Sequence, residues 1–181
     1  MECSAPFVKS MTLAERAAWD AADALGLELV TLNPGLILGP IHGQPSTYRS
    51  TSSGQLLTRT IPALPQLGFT PVDARDVATA HRLALELPQP AGRRYILATE
   101  SLWLADIARI LAEEYNQRGY RVPQRPLPSW AIRFGARVNP SLQLALPMLD
   151  QPAATSSVRA RTELGWQTRD VRSTILDTAE S

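Results

Sequence analysis

The sequence predicts an α/β fold in which helices and parallel strands alternate. Three observations predict this class. An alanine-rich helical pattern leads directly into an apolar strand at residues 12–34, a strand is followed by a helix at residues 69–88, and another strand–helix pair occupies residues 93–119. Apolar strands that alternate with helices are typical of parallel sheets, because the helices cover the faces of the sheet.

The first predicted helix is "TLAERAAWDAADALG". Thr12 and Glu15 form the T-x-x-E pattern of a capping box, and Gly26 provides a C-terminal stop signal. The helix is expected to pack through one apolar face of small residues. This face contains Leu13, Ala17, Ala21, Ala24 and Leu25.

The next predicted strand is "LELVTLNP", which ends at Pro34. Residues 39–68 are rich in Gly, Pro, Ser and Thr and predict a long loop, interrupted by a short helix over "SGQLLTRT". Long loops in compact domains often serve as lids or binding loops.

The remaining elements follow in chain order. "FTPVD" is a short strand, "ARDVATAHRLALELP" a helix, "RRYILAT" a strand, and "SLWLADIARILAEEYNQRG" a helix closed by Gly119. "YRVPQRPLP" is extended, and "SWAIRFGARVN" predicts a helix. Ser156 or Ser157 caps a short helix through "VRARTELGW" that ends at Gly165, and "TRDVRSTILDTAES" is a final helix.

Composition limits the classes of function. The 181 residues are 44% hydrophobic and 19% charged, as expected of a globular chain. The formal charge of +1, with arginines scattered among acidic residues, predicts neither nucleic-acid nor acidic-membrane binding. Cys3 is the only cysteine, so a disulfide framework and a thiolate metal cluster are excluded, and no metal site is expected. No signal-peptide pattern is present, which predicts a cytoplasmic location.

A dinucleotide-binding fold begins with a strand and a glycine-rich turn whose amides face the pyrophosphate. No G-x-G-x-x-G motif or close variant occurs in the sequence. We therefore expect the chain to be the later part of a longer fold.

The ordered set "FVKSMTLAERAAWD", "LELVTLNPGLILGP", "FTPVDARDVATAHRLAL", "RRYILAT" and "ARTELGW" resembles the extended short-chain dehydrogenase/reductases. The likeness is strongest to the dihydroflavonol reductase-like and aldehyde reductase-like members of the NAD-dependent epimerase/dehydratase group. It implies an incomplete Rossmann-like parallel sheet, made of the C-terminal strands, plus a small α/β substrate-binding subdomain. Within one domain, residues 1–38 would be what remains of the nucleotide-binding half, and residues 39–181 would belong mainly to the substrate side.

In that family the active-site helix carries Tyr-x-x-x-Lys, in which the tyrosine exchanges a proton with the substrate and the lysine lowers the tyrosine pKa. The alignment without gaps places Phe7 at the tyrosine position and Met11 at the lysine position. Phe7 has no dissociable proton, and Met11 has neither a charge nor a donor. General acid–base catalysis typically contributes about 10²–10⁴-fold, so we expect the chain alone to be inactive.

The segment "NPGLILGP" matches the family better. The resemblance implies that Pro34, Gly35 and Ile37 border the nicotinamide of NAD or NADP, and that Ser46 lies near the cofactor. The alternative is a strand-ending turn, in which Pro and Gly serve geometry alone. Tight NAD(P) binding by this chain alone is not expected, because half of the contacts cannot offset the entropy of fixing a flexible ligand.

Other side chains provide weaker candidates. Lys9, Ser10, His42 and Tyr48 are the nearest substitutes for the lost pair, and the polarity of a loop explains the last two better. His81 is expected to pack on its helix. Among the tryptophans, Trp103 and Trp166 are predicted to be core residues, whereas Trp130 is a candidate for the border of a substrate cleft.

Three functional interpretations remain open. The chain is the substrate-side part of an NAD(P)-dependent oxidoreductase or epimerase acting on a small carbonyl or alcohol substrate, a non-catalytic binding module on the same scaffold, or an enzyme that uses substitute residues. The strand "LELVTLNP" should have one bare edge, and Ala17 and Ala21 lie on the family's dimerisation helix, so a homodimer is predicted.

Overall fold

The computed structural model describes residues 6–40, 52–87 and 91–181. Strands and helices alternate through most of this part of the chain, which confirms the α/β class. The strands are β1 (Val30–Pro34), β2 (Leu36–Leu38), β3 (Leu64–Pro65), β4 (Gly68–Phe69), β5 (Pro71–Asp73), β6 (Arg93–Leu97), β7 (Leu102–Trp103) and β8 (Pro126–Leu127). The helices are α1 (Pro6–Leu25), α2 (Ser52–Leu57), α3 (Ala74–Glu86), α4 (Leu104–Tyr115), α5 (Ser129–Gly135), α6 (Pro140–Ala145), α7 (Val158–Glu163) and α8 (Val171–Glu180).

The strands form short two-stranded pairings, and most of them are parallel as predicted. β1 pairs with β6, with Val30 opposite Arg93, and β2 pairs with β5, with Leu36 opposite Pro71. β3 and β8 are also parallel, whereas β4 and β7 are antiparallel. Within the described residues, β1 has β6 as its only neighbour, so its second edge carries no strand.

The chain changes strand partner at Gly35. The Gly35 N–H donates to the Leu97 carbonyl (2.9 Å), which continues the β1–β6 pairing. The next amide, of Leu36, donates to the Thr70 carbonyl (2.9 Å) and starts the pairing with β5. The Thr99 N–H donates to the Pro71 carbonyl (2.9 Å), so β5 fits between the diverging ends of β2 and β6.

Two apolar cores hold these elements. The first packs α4 against α2 and α8, and the second joins the sheet to α3 and α7. The buried side chains of the first core include Leu56, Leu104, Ile107, Leu111 and Ile175. Those of the second core include Val72, Val77, Tyr95, Leu97, Leu164 and Trp166. Trp166 is therefore a core residue, as predicted, and its indole N–H donates to the Asp76 carbonyl (2.8 Å).

The predicted start of α1 is wrong. The helix begins at Pro6 rather than near Thr12, and Thr12 lies in its interior. The Thr12 hydroxyl donates to the Val8 carbonyl (2.9 Å) one turn earlier, so it is not a capping group. The predicted end of the helix is correct, because Gly26 has a φ of +63° that suits glycine at a helix C-terminus.

The apolar face predicted for α1 does not pack against the sheet. Ala22 is the buried residue of the helix, and Glu15 and Trp19 are half-buried on the same side. The polar contacts of Glu15 with the sheet fix this orientation. The predicted face points away from the sheet, since Leu13, Ala17, Ala21, Ala24 and Leu25 are all exposed.

Smaller differences concern the later elements. Helix α6 is an element that the sequence does not predict, and residues 102–103 form the short strand β7 instead of the first turn of α4. His81 does not pack in a core: its exposed ring contacts the Val77 carbonyl of its own helix (2.9 Å). Trp103 is half-buried, so its assignment to the core holds only in part.

No helix in the described part of the chain combines the length and apolar character needed to span a bilayer. The described residues also contain no group of three or more His, Cys, Asp or Glu side chains that could hold a metal ion.

Candidate active site at the carboxyl end of the sheet

The two positions predicted to correspond to a catalytic pair both lie on the first helix. Phe7 and Met11 are one turn apart in α1 and therefore share a side of the helix. The Met11 side chain is 55% exposed. A thioether there offers an apolar, uncharged surface that can neither lower the pKa of a neighbouring hydroxyl nor donate a hydrogen bond.

The candidate cofactor segment follows β1. Pro34 is exposed, Gly35 is half-buried, and the Ile37 side chain is 50% exposed, so this segment presents an apolar surface at the carboxyl end of a parallel strand. Open α/β sheets bind their ligands at this end. Ser46, together with His42 and Tyr48, lies outside the described residues.

Gly35 has a structural reason to be glycine. A Cβ atom at this position would lie 2.1 Å from the Thr70 carbonyl oxygen and 2.7 Å from its Oγ1. The amides of Gly35 and Leu36 both donate within the sheet, so neither is free for a ligand. The strand-ending turn therefore accounts for Gly35, and its role in cofactor binding stays a prediction.

Hydrogen bonds to the Glu15 carboxylate connect α1 to the sheet. Its carboxylate accepts hydrogen bonds from Arg94 Nε (2.7 Å), Thr31 Oγ1 (3.3 Å) and Asn33 Nδ2 (3.3 Å). The hydrogen bond from Arg94 is the main cause that holds the pKa of Glu15 below its ordinary value. Glu15 lies one turn after Met11, but an ionised carboxylate with three partners is not a proton donor at neutral pH.

A second polar cluster lies under the end of β5. The buried Asp73 carboxylate accepts from the backbone N–H (2.8 Å), Nε (2.8 Å) and Nη2 (2.6 Å) of Arg75, and from Thr174 Oγ1 (2.9 Å). Burial alone would raise the pKa of Asp73, but the hydrogen bonds from Arg75 and Thr174 outweigh it and lower that pKa. Arg75 also bonds Asp177 on α8 (2.6 Å). The cluster therefore joins β5, α3 and α8.

The sequence predicts neither polar cluster. Its pattern assigns Glu15 to a capping box and shows Asp73 only as the last residue of a strand. The available signal for Asp73 is its position directly before a helix, where Asp is favoured as an N-cap. No sequence signal connects Arg94 with Glu15, because the contact joins residues far apart in the chain.

No described tyrosine supplies the missing acid. The Tyr95 hydroxyl donates to Glu163 Oε2 (2.9 Å), and burial followed by that hydrogen bond raises the Tyr95 pKa. A tyrosine that exchanges a proton in catalysis needs a lowered pKa instead. Tyr115 and Tyr120 pack edge to face in another part of the fold (5.6 Å between centroids), and Lys9 is the chain's single lysine.

These residues fit only part of a dinucleotide. Ile37 and Pro34 offer an apolar surface for one end of the ligand, but the nearby amides are used within the sheet, and the sequence contains no glycine-rich phosphate-binding turn. The described residues therefore do not form a complete NAD(P) site.

Comparison with known sequences finds reductases. No family model matches the chain. It is 38% identical over 117 residues to cinnamoyl-CoA reductase 2 of Arabidopsis thaliana, a match that covers 65% of this chain and 33% of that protein. It is 28% identical over 184 residues to an uncharacterized oxidoreductase of Saccharomyces cerevisiae, covering 96% of this chain and 49% of that protein. The chain thus spans between a third and a half of these relatives.

Comparison with solved structures finds the same fold. Yeast methylglyoxal/isovaleraldehyde reductase Gre2 in complex with NADPH matches with a TM-score of 0.65 at 24% identity, covering 93% of this chain and 52% of that one. Vestitone reductase from alfalfa (Medicago sativa) matches with a TM-score of 0.64 at 18% identity, covering 93% of this chain and 48% of that one. The sequence relatives are thus reductases, and the fold is similar to that of solved NAD(P)-dependent reductases and epimerases of the short-chain dehydrogenase/reductase type, of whose chains this one matches about half.

Proposed function

We propose that the chain is the substrate-side portion of an NAD(P)-dependent oxidoreductase fold for a small carbonyl or alcohol substrate, and that it does not catalyse this reaction alone. Residues 1–38 would belong to the nucleotide-binding half, and residues 39–181 mainly to the substrate side. The proposal rests on the resemblance, which puts Phe7 and Met11, one turn apart on α1, at the positions of an acid and its cationic partner.

The chemistry of the site supports this proposal. In reductases of this kind a bound nicotinamide supplies hydride, while the protein must deliver a proton to the carbonyl oxygen. Met11 has no proton to give, Glu15 is held ionised by Arg94, and Tyr95 has a raised pKa and a hydroxyl engaged with Glu163. None of these three side chains is therefore suited to act as a general acid.

The test is oxidation of NADPH in the presence of a panel of aldehydes and ketones. We expect the unmodified chain to show no turnover above the rate without protein, because the missing acid–base pair alone accounts for about 10²–10⁴-fold. The matched variants are Phe7→Tyr, Met11→Lys and the double variant. Turnover by the unmodified chain would contradict the proposal. Activity in the double variant alone would locate the defect in those two side chains and show that the remaining cleft still binds both ligands.

A second candidate function is a non-catalytic interaction module on the same scaffold. One observation favours it: the small apolar face of α1 points away from the sheet, and the described residues place nothing against it. The unpaired edge of β1 is a second surface that could bind another chain, because its backbone N–H and C=O groups have no neighbouring strand among the described residues. Both features suit association with another protein chain, including a second copy of this one.

We expect the chain to form a homodimer through α1, and light scattering coupled to size-exclusion chromatography measures this directly. Ala21→Arg places a long charged side chain in the contact and should shift the population to monomer. The control is Ala78→Arg at an exposed position of helix α3, which should leave the mass unchanged. A monomer at all concentrations, or equal behaviour of the two variants, would rule out this interface.

A further inference from the structure

The charges are not evenly distributed along the chain. Residues 115–149 contain five arginines and no aspartate or glutamate, although the whole chain has a formal charge of only +1. The sequence-based expectation of scattered arginines is therefore wrong for this segment. Arg118 pairs with Glu114 and Glu180, and Arg133 pairs with Asp150, and these three acidic partners lie outside the segment. The segment nevertheless carries more positive than negative charge, and basic segments attract anionic partners.

Helix α5 lies within this basic segment, and its two aromatic side chains are exposed to solvent. Ile132 and Ala136 are buried, whereas Trp130 is 72% and Phe134 is 67% exposed. Val138, just after the helix, is 86% exposed. Trp130 and Phe134 are four residues apart and share one side of the helix, and together with the exposed Val138 they make up the surface that we call the aromatic ridge.

Two arginines accompany the aromatic ridge. The Arg137 guanidinium lies 5.6 Å from the centroid of the Phe134 ring, a cation–π contact that places positive charge beside the apolar surface. Arg133, one turn before Arg137, is exposed and contacts Asp150 (3.2 Å). The Asp150 carboxylate, which also accepts from the Ser129 hydroxyl (2.5 Å), balances the charge of Arg133. Two arginines against one aspartate leave a net positive charge beside the ridge, carried by Arg137.

We propose that the aromatic ridge docks on an anionic lipid surface. Exposed Trp and Phe rings with a neighbouring Val fit a soft medium that deforms around them, whereas a rigid protein partner would need a matching groove. Tryptophan and arginine suit the headgroup region, because each combines an apolar body with a polar or charged end. Anionic headgroups would then pair with Arg137 and compete with Asp150 for Arg133. This proposal does not rest on the catalytic state of the chain.

The first test is co-sedimentation with vesicles. We expect binding to vesicles that contain phosphatidylserine, weaker binding to pure phosphatidylcholine, and a loss of affinity when the salt concentration rises. Trp130→Ala with Phe134→Ala should weaken binding by at least about tenfold, since both side chains bury apolar area in the lipid. The control is Leu85→Ala, which removes a similarly exposed apolar side chain from α3 and should change nothing.

A second measurement separates lipid contact from loss of folding. Trp130→Phe keeps an aromatic side chain on the ridge, so vesicle binding should persist. The blue shift in tryptophan fluorescence seen on binding by the native chain should disappear in this variant. Equal binding by the double variant and the native chain would overturn the proposal. So would binding to an acidic polypeptide such as polyglutamate but not to vesicles, a result that would favour an acidic protein partner.

Discussion

Replacing Asp73 by alanine should lower the free energy of unfolding by about 2–4 kcal/mol, because it removes charge-assisted hydrogen bonds and a helix cap. Arg75 keeps Asp177 as a partner, and the Thr174 hydroxyl keeps only the Asp170 carbonyl as an acceptor. The lost side-chain cap of α3 alone contributes about 1 kcal/mol. Chemical denaturation at neutral pH measures the loss.

The matched control for Asp73 is Asp177→Ala. Asp177 bonds the same guanidinium but is much more exposed, so its removal should cost no more than about 1 kcal/mol. A similar cost for both variants would mean that burial of Asp73 contributes little.

The contribution of Asp73 should also depend on pH. Its pKa is lower in the folded chain than in the unfolded chain, where it is about 3.9. The stabilisation is therefore complete above that value and is lost as pH falls through the lower folded pKa. The difference in stability between the native chain and Asp73→Ala should shrink below about pH 4. A difference that stays constant down to about pH 2 would contradict this account.

Replacing Gly35 by alanine should destabilise the fold by about 3 kcal/mol or prevent its formation, because the new Cβ would meet the Thr70 carbonyl oxygen at 2.1 Å. The obstacle is backbone, so no rotation of a side chain relieves it. β2 and β5 would have to separate at the point where the chain changes its strand partner. The yield of folded protein and its denaturation midpoint both report the effect.

The control for Gly35 is Gly26→Ala at the end of α1. Gly26 has a positive φ, but a Cβ added there would meet no atom within 4 Å, so its cost comes from backbone conformation alone, about 1–2 kcal/mol. If Gly35→Ala proved no worse than this control, the close approach to Thr70 would not be what requires glycine. The interpretation that Gly35 is kept for a ligand would then gain support.

The sequence predicts most elements correctly because local signals define them. Gly119 and Gly165 mark predicted helix ends that the structure confirms, with φ of +89° and +62°. The α/β class follows from the alternation of helices and strands. These signals depend on residues close together in the chain, so sequence periodicity is enough to find them.

The packing of α1 could not be predicted in the same way. Its alanine-rich side looks like a core face, but the orientation is decided by Glu15, whose partners Thr31, Asn33 and Arg94 come from two later strands. Similarly, the exposed aromatic ridge on α5 has the sequence pattern of a buried helix. In both cases distant contacts decide which side faces the protein, and hydrophobic periodicity cannot report them.

Helix α1 is held against the sheet mainly by the polar contacts of Glu15, and this arrangement affects the dynamics of the chain. With Ala22 as its buried residue, the helix contributes little to either core, and the bond between Glu15 and Arg94 is partly open to water and screened by salt. Helix α1 should therefore open locally as a unit well below the free energy of global unfolding, and its amides should exchange with solvent before those of α4. The helix that carries Phe7 and Met11 would thus be among the least protected parts of the molecule.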